Sequence, residues 1–481
     1  MKLIKRLEKI ASKYSDKIAV IDALFDRHYS YHDLLYDIKS LSYILHENGI
    51  KLDDRIALYF NNSYYQVVAF FSIIYIGAVP VLIDGNSCKE EIIKFLKSSN
   101  AITLIGGIDK KDILIDLSKR KDLGVFIFSN NEELIKEKTI TLISYAYLRN
   151  NTNESTFNDK EGRVILFTYR GYGYPMPVVV SETALLHSIT SNNFLTRIDS
   201  SLRISLILPF THIFALTCNV LSPLSVGGTI VIIKSVMPGK ILSFVENYKV
   251  NFMIVVPTLI RVFIHYIKKS GFKSSSPQRG IVGGDSFSKE LFDEWLNLTG
   301  CILLQGYGLT ETSAVLCNQW DNNKPDSLGK TMIGTSAKII DEDGNELSCG
   351  RKGRLYIYTH SVMEGYYGRG DLTKEIKSDG WIDTGDIAWR DEDDFYYFVK
   401  RDKMIAKLGG ITVDVKEVEN VVNMHPDIQR AEIIIENDEL WQEKLVCKVK
   451  TDKDLTKMDV YNFCKNYLST SKIPKEIIVY K

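Results

Sequence analysis

The sequence of 481 residues lacks paired cysteines. Its seven cysteines are scattered singly, with no Cys-x-x-Cys pair and no cluster of cysteine and histidine. This pattern excludes a recognisable zinc site, and widely spaced thiols in odd number predict reduced cysteines in a cytoplasmic protein. Excess charge is also absent, because 60 Lys and Arg balance 60 Asp and Glu. A zero net charge gives no global reason to expect a nucleic-acid partner.

The sequence also lacks an apolar stretch long enough to cross a membrane. The longest one, residues 67–83, is interrupted by Gly77 and Pro80, and a spanning helix needs roughly 20 residues. We expect a buried helix over 66–75 followed by a strand over 79–83. Charged residues continue through the first 17 positions, so no signal-peptide core is expected. Peripheral contact with a membrane stays open as an alternative.

The chain instead has a regular alternation of apolar runs and amphipathic segments over its first 400 residues. Apolar runs such as 55–60 and 252–256 are separated by helical patterns such as 31–47 and 289–298. This alternation predicts an α/β fold with mostly parallel sheets.

The pattern changes twice towards the C terminus. Short β segments with Gly and Asp turns over 353–397 predict a small β subdomain. From residue 401, a hairpin, two helices and two strands predict a small, mobile α+β domain of about 80 residues, within the usual size range. The expected domains are therefore a large one over 1–400 and a small one over 401–481.

The segment Gln-Gly-Tyr-Gly-Leu-Thr-Glu-Thr-Ser-Ala supplies Gly306, Tyr307, Gly308, Thr310 and Glu311. It follows a short apolar run that predicts the end of a buried strand. The glycines let a backbone approach a ligand closely. The tyrosine can stack on a base, the threonine can donate to a phosphate, and the glutamate can hold Mg²⁺. This set suits a nucleotide; a plain strand-to-loop turn is the alternative.

This segment resembles the core motif of the acyl-adenylate-forming enzymes, which include acyl-CoA synthetases, adenylation domains of peptide synthetases and luciferases. Gly283, Gly284 and Asp285 resemble the turn that packs backbone against adenine in that family. Asp386, in Gly-Trp-Ile-Asp-Thr-Gly-Asp, resembles the aspartate that accepts hydrogen bonds from both ribose hydroxyls. Taken singly, these segments are also compatible with ordinary turns between strands.

The segment Leu-Pro-Phe-Thr-His-Ile-Phe resembles the aromatic and histidine motif of acyl-CoA ligases, and of long-chain fatty acyl-CoA synthetases in particular. The resemblance implies that His212 and Phe214 border the acyl pocket. A strand ending in a core histidine is the alternative. No aspartate is present here to bind a substrate ammonium, and because an unpaired buried charge is costly, we expect an apolar acid rather than an amino acid.

The segment after residue 400 resembles the linker and hinge of the family. The resemblance implies that Arg401 contacts ribose and that Lys403 lies at the hinge. Rotation of the small domain about this hinge is how the family changes from the adenylation step to the thioester-forming step. Lys407 belongs to the same motif, and Gly410 would let the backbone pass close to a pantetheine arm. A charged, solvated hairpin is the alternative.

The phosphate loop departs from the family pattern, which is rich in Ser, Thr and Gly and ends in Pro-Lys-Gly. Thr168, Gly171 and Gly173 are available to bind ATP phosphates, but Met176 stands at the lysine position and three tyrosines replace small residues. Arg170 can supply a phosphate charge or lie solvated.

The family's C-terminal catalytic lysine has no counterpart here, because that lysine follows about a dozen residues after a segment like the one around Pro474. The chain stops at Lys481. Losing one such group typically lowers a rate by roughly 10²–10³, so we expect slow adenylation.

The resemblance implies an AMP-forming acid–thiol ligase that uses ATP, Mg²⁺ and CoA to activate a carboxylic, most plausibly fatty, acid. Thr310, Glu311 and His212 would be its catalytic residues, with Glu311 as metal ligand. One alternative acceptor is the phosphopantetheine of a carrier protein. A third interpretation is a catalytically impaired protein that binds nucleotide or acyl-adenylate.

Overall fold

The protein is described from a computed structural model that covers residues 2–129, 136–137, 140–144, 148–149, 158, 160–273, 275–401, 405–408, 411–438 and 441–481. Within these ranges, four β-sheets are flanked by helices. The predicted mostly parallel α/β architecture is present, together with the small β and α+β parts.

The helices bury apolar faces against the sheets, and several begin at capping residues that the sequence makes plain. α2 begins at a capping box between Ser30 and Asp33. The helices are α1 Leu3–Lys13, α2 Tyr31–Glu47, α3 Tyr64–Tyr75, α4 Lys89–Ser99, α5 Lys111–Ser118, α6 Glu182–Thr196, α7 Ser222–Val226, α8 Pro238–Asn247, α9 Pro257–Ser270, α10 Lys289–Thr299, α11 Gly370–Ile376, α12 Val415–Asn423 and α13 Lys457–Cys464. The predicted buried helix and strand over 66–83 correspond to α3 and the fourth strand.

The first seventeen strands build most of two large sheets. They are β1 Ile18–Asp22, β2 Arg27–Ser30, β3 Arg55–Phe60, β4 Val79–Asp84, β5 Thr103–Gly107, β6 Gly124–Ser129, β7 Lys136–Glu137, β8 Ile140–Ser144, β9 Arg163–Thr168, β10 Met176–Ser181, β11 Arg203–Leu206, β12 Thr229–Ile232, β13 Phe252–Val255, β14 Arg279–Gly283, β15 Ile302–Leu309, β16 Ser313–Cys317 and β17 Lys330–Thr331.

The remaining strands belong mainly to two smaller sheets. They are β18 Thr335–Ile340, β19 Gly353–Thr359, β20 Gly365–Tyr366, β21 Lys377–Ser378, β22 Trp381–Arg390, β23 Tyr396–Arg401, β24 Ile405–Leu408, β25 Ile411–Asp414, β26 Arg430–Asp438, β27 Gln442–Lys450 and β28 Glu476–Tyr480.

Both large sheets have nine strands, in the orders β17-β16-β15-β14-β13-β11-β12-β1-β2 and β20-β10-β9-β4-β3-β5-β6-β8-β7. Their centres are parallel and their edges antiparallel. Parallel strands end at one edge of a sheet, and ligands in such folds bind beyond that edge. The segments after β11, β14 and β15 therefore converge.

The predicted strand end before Gly306 is wrong. β15 continues through Leu309, pairs with β14 as far as Gly306, and turns at residues 310–312 into β16. Glycine disfavours strands, but pairing with both neighbours overrides that preference, and a bulge between Tyr307 and Gly308 absorbs the irregularity.

The small β part is wider than predicted. Its sheet runs β18-β19-β22-β21 with β23 paired to β22, so it spans 335–401. The fourth sheet, β25-β24-β27-β26 with β28, has a separate apolar core with α12 and α13. β23 belongs to the third sheet and β24 to the fourth, which supports the predicted domain boundary at residue 400. The division into two domains stays a prediction.

Among the described residues, no helix combines the length and apolar character needed to cross a bilayer. The seven cysteines are free thiols.

Candidate active site

A cavity of about 580 Å³ lies beyond the carboxyl ends of β14 and β15, under the hairpin of β24 and β25. Its lining includes most of the predicted site residues: Thr168, His212, Phe214, Gly284, Asp285, Gly306, Tyr307, Gly308, Thr310, Glu311, Arg401 and Lys407. Thr168 and Lys407, 239 positions apart in sequence, thus border one space of a size typical of ligand pockets.

Three predicted nucleotide residues form one cluster at this cavity. Asp386 lies opposite Arg401 in the β22–β23 pair. Arg401 donates from Nε to Asp386 Oδ1 over 2.6 Å and from Nη2 to Oδ2 over 3.0 Å, while the Tyr307 hydroxyl donates to Oδ2 over 2.7 Å. Asp386 is fully buried, so its acceptors are fixed before any ligand arrives.

The environment of this cluster keeps its groups in defined protonation states. Burial, reinforced by the Asp386 carboxylate, raises the pKa of Tyr307 well above its ordinary value. Burial acts to lower the pKa of Arg401, but the Asp386 carboxylate outweighs it and the pKa is raised. The tyrosine therefore stays a neutral donor and the arginine stays charged.

The double-glycine turn places backbone tightly against its neighbours. A Cβ at Gly283 would lie 3.0 Å from the Gly306 carbonyl oxygen and 3.3 Å from the Phe214 ring. Gly284 has φ +86°, where a side chain is strained. Asp285 Oδ2 is buried without a hydrogen-bond partner, and burial raises the pKa of this carboxyl group.

His212 lies at the cavity wall, just before a π-helical turn, Ala215–Leu221, that follows the predicted histidine and aromatic motif. Such turns frequently occur at functional sites. Its Nε2 is buried and has no hydrogen-bond partner. Burial lowers the pKa of His212, so the ring is neutral at neutral pH and can hydrogen-bond a ligand.

Glu311 is held by two groups that the sequence did not connect with it. Arg170 Nη1 donates to Glu311 Oε1 over 3.1 Å, and the Tyr366 hydroxyl donates to the same oxygen over 2.7 Å. Arg170 Nη2 donates to the Asp383 carbonyl oxygen over 2.9 Å. Arg170 is thus buried in an ion pair, which excludes the solvated alternative.

The Glu311 carboxylate is paired with a cation in this structure. Magnesium at nucleotide sites is held by one or two carboxylates together with phosphate oxygens, and the Arg170 guanidinium lies 3.1 Å from Glu311 Oε1, so the role of Glu311 as a metal ligand stays a prediction. Within the described residues, no group of three His, Cys, Asp or Glu is placed to hold a metal.

The phosphate loop joins β9 to β10, and each of its tyrosines has a partner. Tyr172 donates to Glu375 over 2.8 Å, and Tyr174 accepts from Arg369. Gly171 and Gly173 have φ +81° and +83°, as flexible loop glycines allow. Met176 is fully buried in the apolar core.

The C-terminal part contacts this loop directly. Lys472 Nζ lies 2.6 Å from the Tyr169 hydroxyl, 2.6 Å from Glu91 Oε1 and 3.0 Å from Glu417 Oε2. Asp414, which caps α12, accepts from the Gly173 amide over 2.9 Å. Sequence reasoning missed Lys472 and Glu91, because no local motif marks either residue.

The hinge residues are only partly described. Lys403 and Gly410 lie outside the described residues. Lys407 donates to the Thr412 hydroxyl over 2.6 Å. Burial, with Arg401 nearby, lowers its pKa to about 8.

The sequence profile described as AMP-binding enzyme matches residues 7–367. The chain belongs to the AMP-binding enzyme family. The resemblance to the acyl-adenylate-forming enzymes is thereby confirmed at the level of the family, while the roles of single residues stay predictions.

Several curated members of this AMP-binding family align over almost the whole chain. A long-chain-fatty-acid–CoA ligase of Yersinia pestis is 26% identical, covering 98% of this chain and 90% of its own. 4-Coumarate–CoA ligase 4 of Arabidopsis thaliana is 26% identical, covering 97% and 84%.

Solved structures of low identity share the fold. The o-succinylbenzoate CoA synthetase of Bacillus subtilis has a TM-score of 0.85 at 20% identity and covers 99% of this chain and 94% of its own. An amide bond synthetase of Marinactinospora thermotolerans has a TM-score of 0.88 at 18% identity, covering 100% and 96%. The predicted fold class is therefore confirmed.

Proposed function

We propose that this AMP-binding protein activates a fatty acid with ATP as acyl-AMP and transfers the acyl group to CoA. The observation that carries the proposal is the cavity in which Tyr307 and Arg401, the two partners of Asp386, meet His212. The full-length similarity to fatty-acid–CoA ligases supports the choice of acid and thiol.

The nucleotide would be bound by the cluster around Asp386. Arg401 and Tyr307 line the cavity and hold the buried Asp386 carboxylate behind them, the group that the family resemblance assigns to the ribose hydroxyls. The Tyr307 ring would border the adenine position.

The reaction would proceed in two steps. The carboxylate of the acid attacks the α-phosphorus of ATP, and pyrophosphate leaves. The thiol then attacks the acyl carbonyl carbon, AMP leaves, and the thiol proton passes to solvent. The neutral His212 ring donates or accepts one hydrogen bond at the acyl end, and Thr310 donates its hydroxyl to a phosphate oxygen.

The apolar half of the cavity supports the choice of acid. Leu208, Ile213, Phe214 and Val256 line it, which gives the acyl chain of an apolar acid a surface to pack against.

The test is exchange of labelled pyrophosphate into ATP across fatty, aryl and amino acids, followed by thioester formation with CoA. Exchange with fatty acids and product on CoA are expected. Thioester only on a phosphopantetheine-bearing carrier protein would support the carrier alternative. No exchange with any acid, alongside measurable AMP binding, would refute the ligase and leave a nucleotide-binding protein.

A further inference from the structure

The Arg170 guanidinium is fixed at the phosphate end of the cavity. It belongs to the phosphate loop, yet only 6% of the residue is exposed. Its two terminal nitrogens are tied in different directions, Nη1 to Glu311 and Nη2 to the Asp383 carbonyl oxygen. Both side chains of the ion pair are buried, because the Glu311 side chain is only 2% exposed.

The β22 backbone passes beside this guanidinium. A Cβ at Gly385 would lie 3.5 Å from Arg170 Nη2, in ordinary van der Waals contact. Tyr366 supplies a further donor to Glu311. An arginine keeps its charge at every accessible pH and presents a rigid, planar fork suited to phosphate oxygens.

The loop contains no other positive charge. Residues 168–177 include Arg170 as their one basic residue, and Met176 is buried in the core rather than directed to the cavity. A divalent cation at Glu311 would stand against the guanidinium, which repels it. Arg170 is therefore the cation that both pairs with the Glu311 carboxylate and lines the cavity.

We propose that Arg170 is the positive charge that this site presents to the nucleotide phosphates, in the place where Glu311 would otherwise hold a divalent cation. Glu311 acts as a positioning residue that aims the guanidinium, together with Tyr366. This inference rests on the proposed nucleotide site, and it adds that phosphate binding draws on the arginine instead of a metal bound to Glu311.

Two measurements test it: AMP binding by calorimetry in EDTA, and Mn²⁺ binding by electron paramagnetic resonance with and without AMP. We expect the unmodified protein to bind AMP equally in EDTA and in Mg²⁺, and to immobilise no Mn²⁺ at Glu311. Arg170→Gln should weaken AMP binding about ten- to a hundredfold, the range of one charge-assisted hydrogen bond, and should create a Mn²⁺ site. Arg170→Lys should restore part of the affinity.

Two variants separate this result from misfolding and from loss of surface charge. Arg170→Gln/Glu311→Gln leaves no buried unpaired charge; it should still bind AMP weakly and should lose the Mn²⁺ site. Arg163→Gln removes an exposed arginine that pairs with Glu364 over 2.8 Å on the same hairpin, and should bind AMP normally.

The outcomes distinguish this inference from the proposed function. Unchanged AMP affinity in Arg170→Gln, or Mn²⁺ immobilised by the unmodified protein and lost in Glu311→Gln, would overturn the role of Arg170 while leaving the ligase intact. Absence of AMP binding by the unmodified protein would overturn both.

Discussion

Asp386, Tyr307 and Arg401 show how far a single residue can be assigned from sequence. Each lies in a short motif whose spacing carries chemical meaning, and the structure brings the three side chains together within hydrogen-bond distance. Lys472 and Glu91 are different, because their contact joins positions 381 residues apart. No local pattern can show such a pair, since it exists only after the chain has folded.

The lowered pKa of Lys407 leads to a prediction about reactivity. Burial and the neighbouring Arg401 disfavour the charged ammonium, so its pKa is about 8. Competitive labelling with an amine-specific acylating reagent, followed by mass spectrometry from pH 6 to 11, should give a midpoint near 8. Exposed Lys97 on α4 is the reference for reagent reactivity. A midpoint for Lys407 near the ordinary lysine value of about 10.4 would contradict the prediction.

The lowered pKa of Lys407 also determines whether this group stabilises or destabilises the folded protein as pH rises. The folded state releases the Lys407 proton at a lower pH than the unfolded state. Between pH 8 and about 10.4 the unfolded state therefore binds more protons, and this group makes the protein more stable as pH rises. Lys407→Met should remove that part of the pH dependence.

At the scale of elements, α2 matches its predicted bounds of 31–47 because the capping residue Ser30 marks where the helix begins. β15 was predicted too short, because Gly306 and Gly308 disfavour a strand when only the local sequence is considered. Its pairing with β14 and β16 comes from distant parts of the chain, and tertiary pairing overrides propensity.

The bulge in β15 depends on Gly308. A Cβ there would lie 2.1 Å from the Ser313 carbonyl oxygen, so Gly308→Ala must displace the hairpin that carries Glu311. We expect a loss of roughly 2–3 kcal/mol in the free energy of unfolding, measured with urea, and weaker AMP binding. Gly370→Ala is the control, because nothing lies within 4 Å of its Cβ. Equal stability of both variants would show that the hairpin adapts.

At the scale of the whole molecule, Lys472 connects the C-terminal part to both α4 and the phosphate loop. Burial acts to lower the pKa of Lys472, but Tyr169 and the two carboxylates raise it well above its ordinary value. The lysine is therefore charged. Its removal takes away the cation that Glu91 contacts and leaves Glu417 with only the more distant Lys94 ammonium, 3.9 Å from Oε1.

Lys472→Met should release the C-terminal part from this position. Breaking a buried ion pair from one side typically costs about 3–5 kcal/mol. Hydrogen exchange should accelerate in β24, β25 and α12, while the centre of the first sheet stays protected. Lys457→Met, an exposed lysine at the start of α13, should exchange like the unmodified protein. Unchanged protection in Lys472→Met would show that other contacts hold the C-terminal part.

The hydrogen bond from the Gly173 amide to Asp414 has a consequence for the order of the reaction steps. One amide proton cannot serve the cap of α12 and a phosphate oxygen at the same moment. If the loop holds the ATP phosphates as proposed, a phosphate on this amide and the docked C-terminal part compete for the same hydrogen bond. Release of pyrophosphate would then favour closure of the hairpin over the adenylate, and excess pyrophosphate would slow the thiol step as a competitor.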